Sequence, residues 1–227
     1  MLKVIRYASL ALLLALGVLW GHAWFTRAPG QGVGEAFAQR LAAVFGQSMP
    51  VPTAGGGVQL PSGVSLGGAF SLVRQDGQAV TERDYAGRWS LIYFGYTYCP
   101  DVCPTELGRI ADVLDAMGPA GERVTPIMIT IDPARDTVAV MADYVSRFHP
   151  RMQGLTGTPE QVAEAARRFR VFYQRVQPRD MADYLMDHSS FIYLVGPDGR
   201  VRTLFRPETG VEEMARSVAA QMRSAGG

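Results

Sequence analysis

The chain of 227 residues holds two cysteines, and they stand close together in Tyr93-Phe94-Gly95-Tyr96-Thr97-Tyr98-Cys99-Pro100-Asp101-Val102-Cys103-Pro104. A four-residue offset places two side chains on one side of a helical turn, so the sulfurs of Cys99 and Cys103 can face a single point. Such a pair closes as a disulfide, or it holds a thiophilic metal through two thiolates. A closed zinc site needs four ligands, and there are no further cysteines to supply them. Cu(I) is soft, accepts two or three ligands, and is satisfied by two thiolates and one imidazole. Three histidines are available for that place: His22, His149 and His188.

The flanking residues define the elements that must hold the sulfurs. Trp89 to Tyr96 is a continuous apolar and aromatic run, the pattern of a strand covered on both faces, and Gly95 breaks it. From Pro104 to Met117 the residues Leu107, Ile110, Ala111 and Leu114 recur at helical spacing, with Pro104 suited to a first turn. A thiol between a strand end and a helix N-terminus meets unpaired backbone N–H groups and the positive end of the helix dipole. Its thiolate form is therefore favoured.

Tyr-Cys-Pro-Asp-Val-Cys-Pro after a Phe-Gly-Tyr-Thr strand end, with Asp187-His188-Ser189 far downstream, resembles the Sco/SenC family of copper metallochaperones. The resemblance runs from about Gly67 to the C-terminus. It implies a thioredoxin-like fold on a membrane anchor, and delivery of copper to subunit II of cytochrome c oxidase. It also implies that the metal ligands are Cys99, Cys103 and His188. An upstream copper chaperone as donor, the copper valence and the oligomeric state are left open.

Other residues near this motif have competing readings. Asp187 either orients the His188 ring or is a solvated carboxylate. Met181 and Met186 are soft donors close to His188 in sequence, though methionine is more often packing. His149, in Phe148-His149-Pro150, suits the C-terminal end of a helix, and His22 suits a membrane interface. Asp132-Pro133 ends a strand and could border the site, while Tyr93, Phe94, Tyr96 and Tyr98 form core or site wall. The two cysteines also support thiol–disulfide exchange, with Cys99 attacking a partner disulfide and Cys103 resolving it. A peroxide-consuming thiol enzyme is disfavoured, because no activating arginine is evident beside the motif.

Across the whole chain, 48% hydrophobic residues provide for a core, and 22 basic against 21 acidic residues give a net charge of +1. That balance argues against nucleic acid as a partner. Residues 7–25 are apolar and uncharged, flanked by Lys3, Arg6 and Arg27, with Trp20 and Trp24 at one end. This reads as a transmembrane anchor within residues 1–25; a cleaved signal at Gly21-His22-Ala23 is the alternative. Either exports the domain to the periplasm of a bacterial cell, and the anchor makes the chain a single-pass inner-membrane protein. Residues 26–68, centred on Gly55-Gly56-Gly57, read as a flexible tether, with a short helix over Glu35 to Phe45 as one option.

Residues 69–227 read as one α/β domain. Phe70 to Val73 and Gln78 to Val80 form a hairpin around Asp76-Gly77. Thr125 to Ile131 is a buried strand, and a helix runs from Asp136 or Thr137 through Phe148. Thr158-Pro159-Glu160-Gln161 is a capping box. Val171 to Val176 is a strand, Phe191 to Val195 and Val201 to Phe205 a second hairpin around Asp198-Gly199, and Thr209 to Glu212 caps a last helix. The expected class is a thioredoxin-like fold with an N-terminal β-hairpin extension and an insertion.

Overall fold

The computed structural model describes residues 57–60, 65–178 and 182–225, together with residues 6–7, 17–18, 20–22 and 24. The chain divides into two units, Met1–Val51 and Pro52–Gly227. The described residues of the first are helical. Among the described residues no helix is long and apolar enough to cross a membrane. Most of the apolar run read as an anchor lies outside them, as does the short helix of Glu35 to Phe45.

The second unit is built on β4 (Trp89–Gly95), whose seven residues are all buried. A strand with no exposed residue must be covered on both faces, which is why its sequence shows no polar alternation. It pairs in parallel with β5 (Val124–Thr130), from Trp89 opposite Val124 to Gly95 opposite Thr130. Between them runs α1 (Val102–Met117), which buries Cys103, Leu107, Ile110, Val113 and Leu114 at helical spacing. On its other side β4 pairs antiparallel with β9 (Ile192–Val195), and β9 with β10 (Val201–Phe205). The last helix, α4 (Val211–Ser224), packs against α1. One parallel and two antiparallel pairings in the order β5-β4-β9-β10, with the two helices together, form the thioredoxin-like core.

The extensions add strands to this core. β6 (Gln153–Thr156) joins β5 in parallel, followed by the N-terminal hairpin β2 (Ser71–Arg74) and β3 (Ala79–Thr81). α2 (Val138–Ser146) and α3 (Pro159–Phe169) flank β6 in sequence. The capping box of α3 forms as its residues indicate, with Thr158 Oγ1 accepting from the Gln161 N–H at 3.3 Å and Gln161 Oε1 from the Thr158 N–H at 2.8 Å. Phe94, Phe169 and Tyr193 make the aromatic centre of the core, with ring centroids 5.2–5.9 Å apart.

Several expectations are revised. Part of the stretch read as tether belongs to this unit: β1 (Val58–Gln59) pairs with β10, and Leu66 is buried. β6 was not anticipated. Thr209 does not cap α4; Gly210 holds the N-cap position, and Thr209 Oγ1 accepts from the Arg206 N–H at 3.1 Å. The Thr209 carbonyl takes a 3.0 Å bond from Arg109, which also pairs with the buried Glu106 and so ties α1 to the start of α4. A further departure is a two-stranded sheet of its own, β7 (Tyr173–Val176) with β8 (Leu185–His188).

A buried carboxylate sets the position of the loop after β4. Asp136, fully excluded from solvent, accepts from the Thr97 hydroxyl at 2.6 Å, the Thr97 N–H at 3.1 Å and the Thr130 hydroxyl at 2.5 Å. Burial raises its pKa, while these donors pull it back. It thereby fastens the loop that leaves β4 to the end of β5. Removing the acceptor strands the buried Thr130 hydroxyl and the two half-buried donors of Thr97, so Asp136→Ala is expected to destabilise the protein by roughly 2–4 kcal/mol. Equilibrium urea denaturation of reduced wild-type and variant proteins measures this, and an unchanged midpoint would show that the carboxylate is not what holds the loop.

Candidate metal centre

Helix α1 begins two residues before Pro104, so Cys103 lies inside its first turn and Cys99 outside it, in the turn leaving β4. The N-cap residue Asp101 makes no side-chain capping bond. Its place is taken by sulfur: the Cys103 N–H donates to Cys99 Sγ at 3.4 Å, and the Asp101 N–H also points to that atom. Orphan donors at a helix start are thus met by a group that gains from being an anion there. Gly95 is required at the strand end, because a Cβ on it would lie 2.9 Å from Cys103 Sγ and 2.7 Å from the Tyr93 ring.

The two thiols differ sharply. The Cys99 pKa falls to about 3 through a hydrogen bond from the Cys103 thiol, aided by the neighbouring His188 ring and the two backbone N–H groups and opposed by burial. Cys103 moves the other way, since its proton is held by Cys99 and its sulfur is fully buried. The pair shares one proton, and Cys99 is the ionised member. Cys99 is half-buried and flanked by the exposed Tyr98, Pro100, Asp101 and Val102, so an incoming group meets it first.

His188 ends β8, opposite Tyr173 of β7. Its Nε2 stands 3.5 Å from Cys103 Sγ, and one donor atom from each of Cys99, Cys103 and His188 lies within 4.8 Å of the others. Nδ1 is 3.0 Å from the Ser189 carbonyl. A carbonyl only accepts, so Nδ1 carries a hydrogen and Nε2 is the nitrogen presented to the sulfurs. Metal–sulfur bonds of about 2.3 Å and metal–nitrogen bonds of about 2.0 Å put trigonal ligands about 3.7–4.0 Å apart. The three atoms therefore need to shift by no more than about 1 Å to hold an ion, Cys103 Sγ and Nε2 at 3.5 Å already standing close to that spacing. Tyr93 and Tyr96 stand edge-on to the imidazole, with centroids 6.1 and 6.0 Å away, and the Tyr93 hydroxyl donates to Cys103 Sγ at 3.7 Å. Burial raises the Tyr93 pKa, so it stays a donor.

The three residues named from sequence as metal ligands are thus brought together. Asp187 does not orient the ring: it is exposed on the strand face opposite His188, and the Ser189 carbonyl does that work. His149 accepts from the Arg151 N–H at 3.1 Å near the end of α2, in keeping with a structural role. Met186 packs against the core, and Met181 lies outside the described residues. Sequence reasoning missed the Tyr93 hydroxyl, the Ser189 carbonyl, the Asp136 fastening and Arg135, whose guanidinium stands 4.7 Å from the Tyr98 ring centroid. Asp136 left a trace in the sequence as an acidic residue at a helix start, and Tyr93 as a residue of the core or site wall.

Comparison with known proteins agrees with this geometry. Residues 59–223 match the SCO1/SenC family model. The chain is 41% identical over 160 residues to the mitochondrial protein SCO1 homolog 1 of Arabidopsis thaliana, and 44% identical over 160 residues to the mitochondrial SCO1 homolog of Homo sapiens. Each match covers 70% of this chain but 48% and 53% of those relatives, so the chain spans about half their length. The crystal structure of Arabidopsis thaliana ScoI with copper bound superposes with a TM-score of 0.67 at 41% identity, covering 70% of this chain and 99% of that one.

The thiol asymmetry has a direct readout. As pH falls from neutrality, one thiolate per reduced, metal-free chain is expected to persist in ultraviolet absorbance until near pH 3, and to be absent in Cys99→Ser. Because Cys99 is what holds the other proton, the same substitution should lower the Cys103 pKa. Two thiols titrating together near the ordinary value of about 8.5 would contradict the assignment.

Proposed function

The chain belongs to the SCO1/SenC family, and from that premise we propose that it is a copper chaperone in cytochrome c oxidase assembly. Its cargo is one copper ion, held by Cys99, Cys103 and His188 and delivered to the copper site of subunit II. The convergence of two sulfurs and one imidazole nitrogen within 4.8 Å carries this reading. The donor set suits copper in particular: two thiolates satisfy Cu(I), and the imidazole extends the site to Cu(II). With three protein ligands and Cys99 at the open side, an incoming thiolate can join before a resident one leaves, so release proceeds by ligand exchange. An upstream chaperone would load the site by the same exchange in reverse.

Loading displaces protons, and the retained proton of Cys103 is the costly one. Affinity therefore weakens as pH falls. We place the domain in the periplasm on an inner-membrane anchor, a reading supported by the uncharged run of residues 7–25 between basic flanks.

A second reading, reduction of the cysteine pair of that oxidase site, is favoured by the thiolate–thiol asymmetry. Cys99 as thiolate attacks a partner disulfide and expels one partner thiolate. Cys103 then loses its proton, attacks Cys99 Sγ and releases the second, leaving the partner with two thiols and this chain with a disulfide.

Anaerobic Cu(I) titration of the reduced protein separates the two. One equivalent of copper is expected, lost in Cys99→Ser and in Cys103→Ser. In His188→Ala, binding should be weakened at least about tenfold for Cu(II), which prefers an imidazole ligand. X-ray absorption should count two sulfur neighbours and one nitrogen. Absence of stoichiometric copper together with efficient disulfide reduction would move the assignment to the second reading.

A further inference from the structure

The third ligand arrives on an element that the main sheet does not hold. β7 and β8 pair only with each other among the described residues, so no ladder hydrogen bond from the eight-stranded sheet sets where His188 stands. Around the ring itself the contacts are the Cys103 sulfur it faces, aromatic edges and the carbonyl of its own neighbour. Directional ties between this ribbon and the body of the domain lie two to five residues earlier, and they gather around one guanidinium.

We infer that Arg135, acting with Asp132 and Tyr184, is a positioning residue that latches the ribbon bearing His188 to the loop bearing Cys99. The inference rests on the copper reading above. Asp132 follows the end of β5 and is almost fully buried. Its carboxylate accepts from the Tyr184 hydroxyl at 2.8 Å and from Arg135 Nε. Arg135 Nη1 donates to the Tyr184 carbonyl at 2.9 Å, so the same tyrosine is gripped at both its backbone and its hydroxyl. The guanidinium lies 3.6 Å from the centroid of the Tyr184 ring, 4.7 Å from that of Tyr98 and 5.8 Å from that of Tyr96. It thus bridges a ring of the ribbon and two rings of the cysteine loop.

Neighbouring bonds run in the same direction. The Tyr98 hydroxyl donates to Asp183 at 2.9 Å, and the Met186 N–H donates to the Tyr96 hydroxyl. Arg175 of β7 stands 3.7 Å from the Tyr184 centroid. Two guanidiniums that close cannot share one face, so the ring is held between them. Arg135 Nη2 is buried with no hydrogen-bond partner among the described residues. Bridging the three rings leaves that donor unmet, which is an unfavourable arrangement for a residue whose only task is to pair with Asp132.

The consequence is specific to the imidazole. Cys99 and Cys103 are set by β4 and α1, so opening the latch leaves the sulfur pair in place and loosens the nitrogen. Cu(II), which prefers the imidazole, should suffer more than Cu(I), which two thiolates satisfy.

The test uses Tyr184→Phe, which removes one hydroxyl, and Arg135→Lys, which keeps the charge and loses the fork, in the full chain. In each, Cu(II) affinity is expected to fall about tenfold, the lower end for a lost hydrogen bond to a charged group. Cu(I) affinity should stay within about twofold, and nitrogen coupling in the Cu(II) electron paramagnetic resonance spectrum should weaken as in His188→Ala. In the metal-free variants, amide hydrogen exchange in β8 should quicken by about tenfold while that in β4 stays unchanged. Unchanged exchange, or unchanged Cu(II) affinity and nitrogen coupling, overturns the latch. An equal loss for both valences does so too, because it signals general damage. If Arg135→Lys does not fold, Tyr184→Phe decides alone. Failure of the copper reading is seen separately, as absence of copper binding in the wild-type chain.

Discussion

A sulfur anion at the mouth of helix α1 is the interaction on which the site depends. The backbone N–H groups of Asp101 and Cys103 both turn to Cys99 Sγ, in a helix whose N-cap side chain offers nothing. Those donors would otherwise need water, and the thiol would otherwise be neutral at pH 7. Each defect is cured by the other. Gly95 is part of the same arrangement, because any side chain there would fill the space that Cys103 Sγ occupies. Strand end, glycine, sulfur and helix start therefore form one unit that cannot be changed piecemeal.

The topology decides where this unit sits and what must be brought to it. β4 and β5 run parallel and end together, so their C-terminal loops lie side by side and a single carboxylate, Asp136, can fasten one to the other. The imidazole comes from 85 residues beyond Cys103, at the open end of a ribbon outside the main sheet, where β7 begins and β8 ends. A site built this way has two rigid members and one adjustable member. Such a division suits an ion that must be held and then surrendered, since loosening one ligand need not disturb the other two.

How much of this was legible in the sequence follows from which forces are local. The buried strand β4 could be read because seven consecutive solvent-excluded positions leave no polar alternation, Ser90 being the one polar side chain among them. Both Asp-Gly hairpins and the Thr158–Gln161 capping box were legible because their signals lie within four residues. β6 escaped because Gln153-Gly154-Leu155-Thr156 is too short to show a period. Thr209 was misjudged because its hydroxyl is claimed by the Arg206 N–H. At the site, the motif placed both sulfurs, and the resemblance placed His188. The agent that orients the imidazole could not be read, because a backbone carbonyl carries no residue identity. Asp187 drew attention by adjacency alone, and strand alternation puts it on the wrong face.

One thiolate serves both proposed chemistries, and this forces an order on them. Copper must first meet Cys99, the ionised and accessible sulfur, and the ion then displaces the proton that Cys103 retains. Attack on a disulfide also begins at Cys99, and completing it removes the same proton from Cys103 before the second sulfur can act. The two events therefore compete for one electron pair and end in states that exclude each other: a loaded chain has no free thiolate, and an oxidised chain has no ligands. A partner whose own cysteines are still oxidised would be reduced only by the empty form. A partner already reduced would draw copper from the loaded form. The proton on Cys103 stands before both exits, so acidity slows each, and neither route needs a residue that the other lacks except His188.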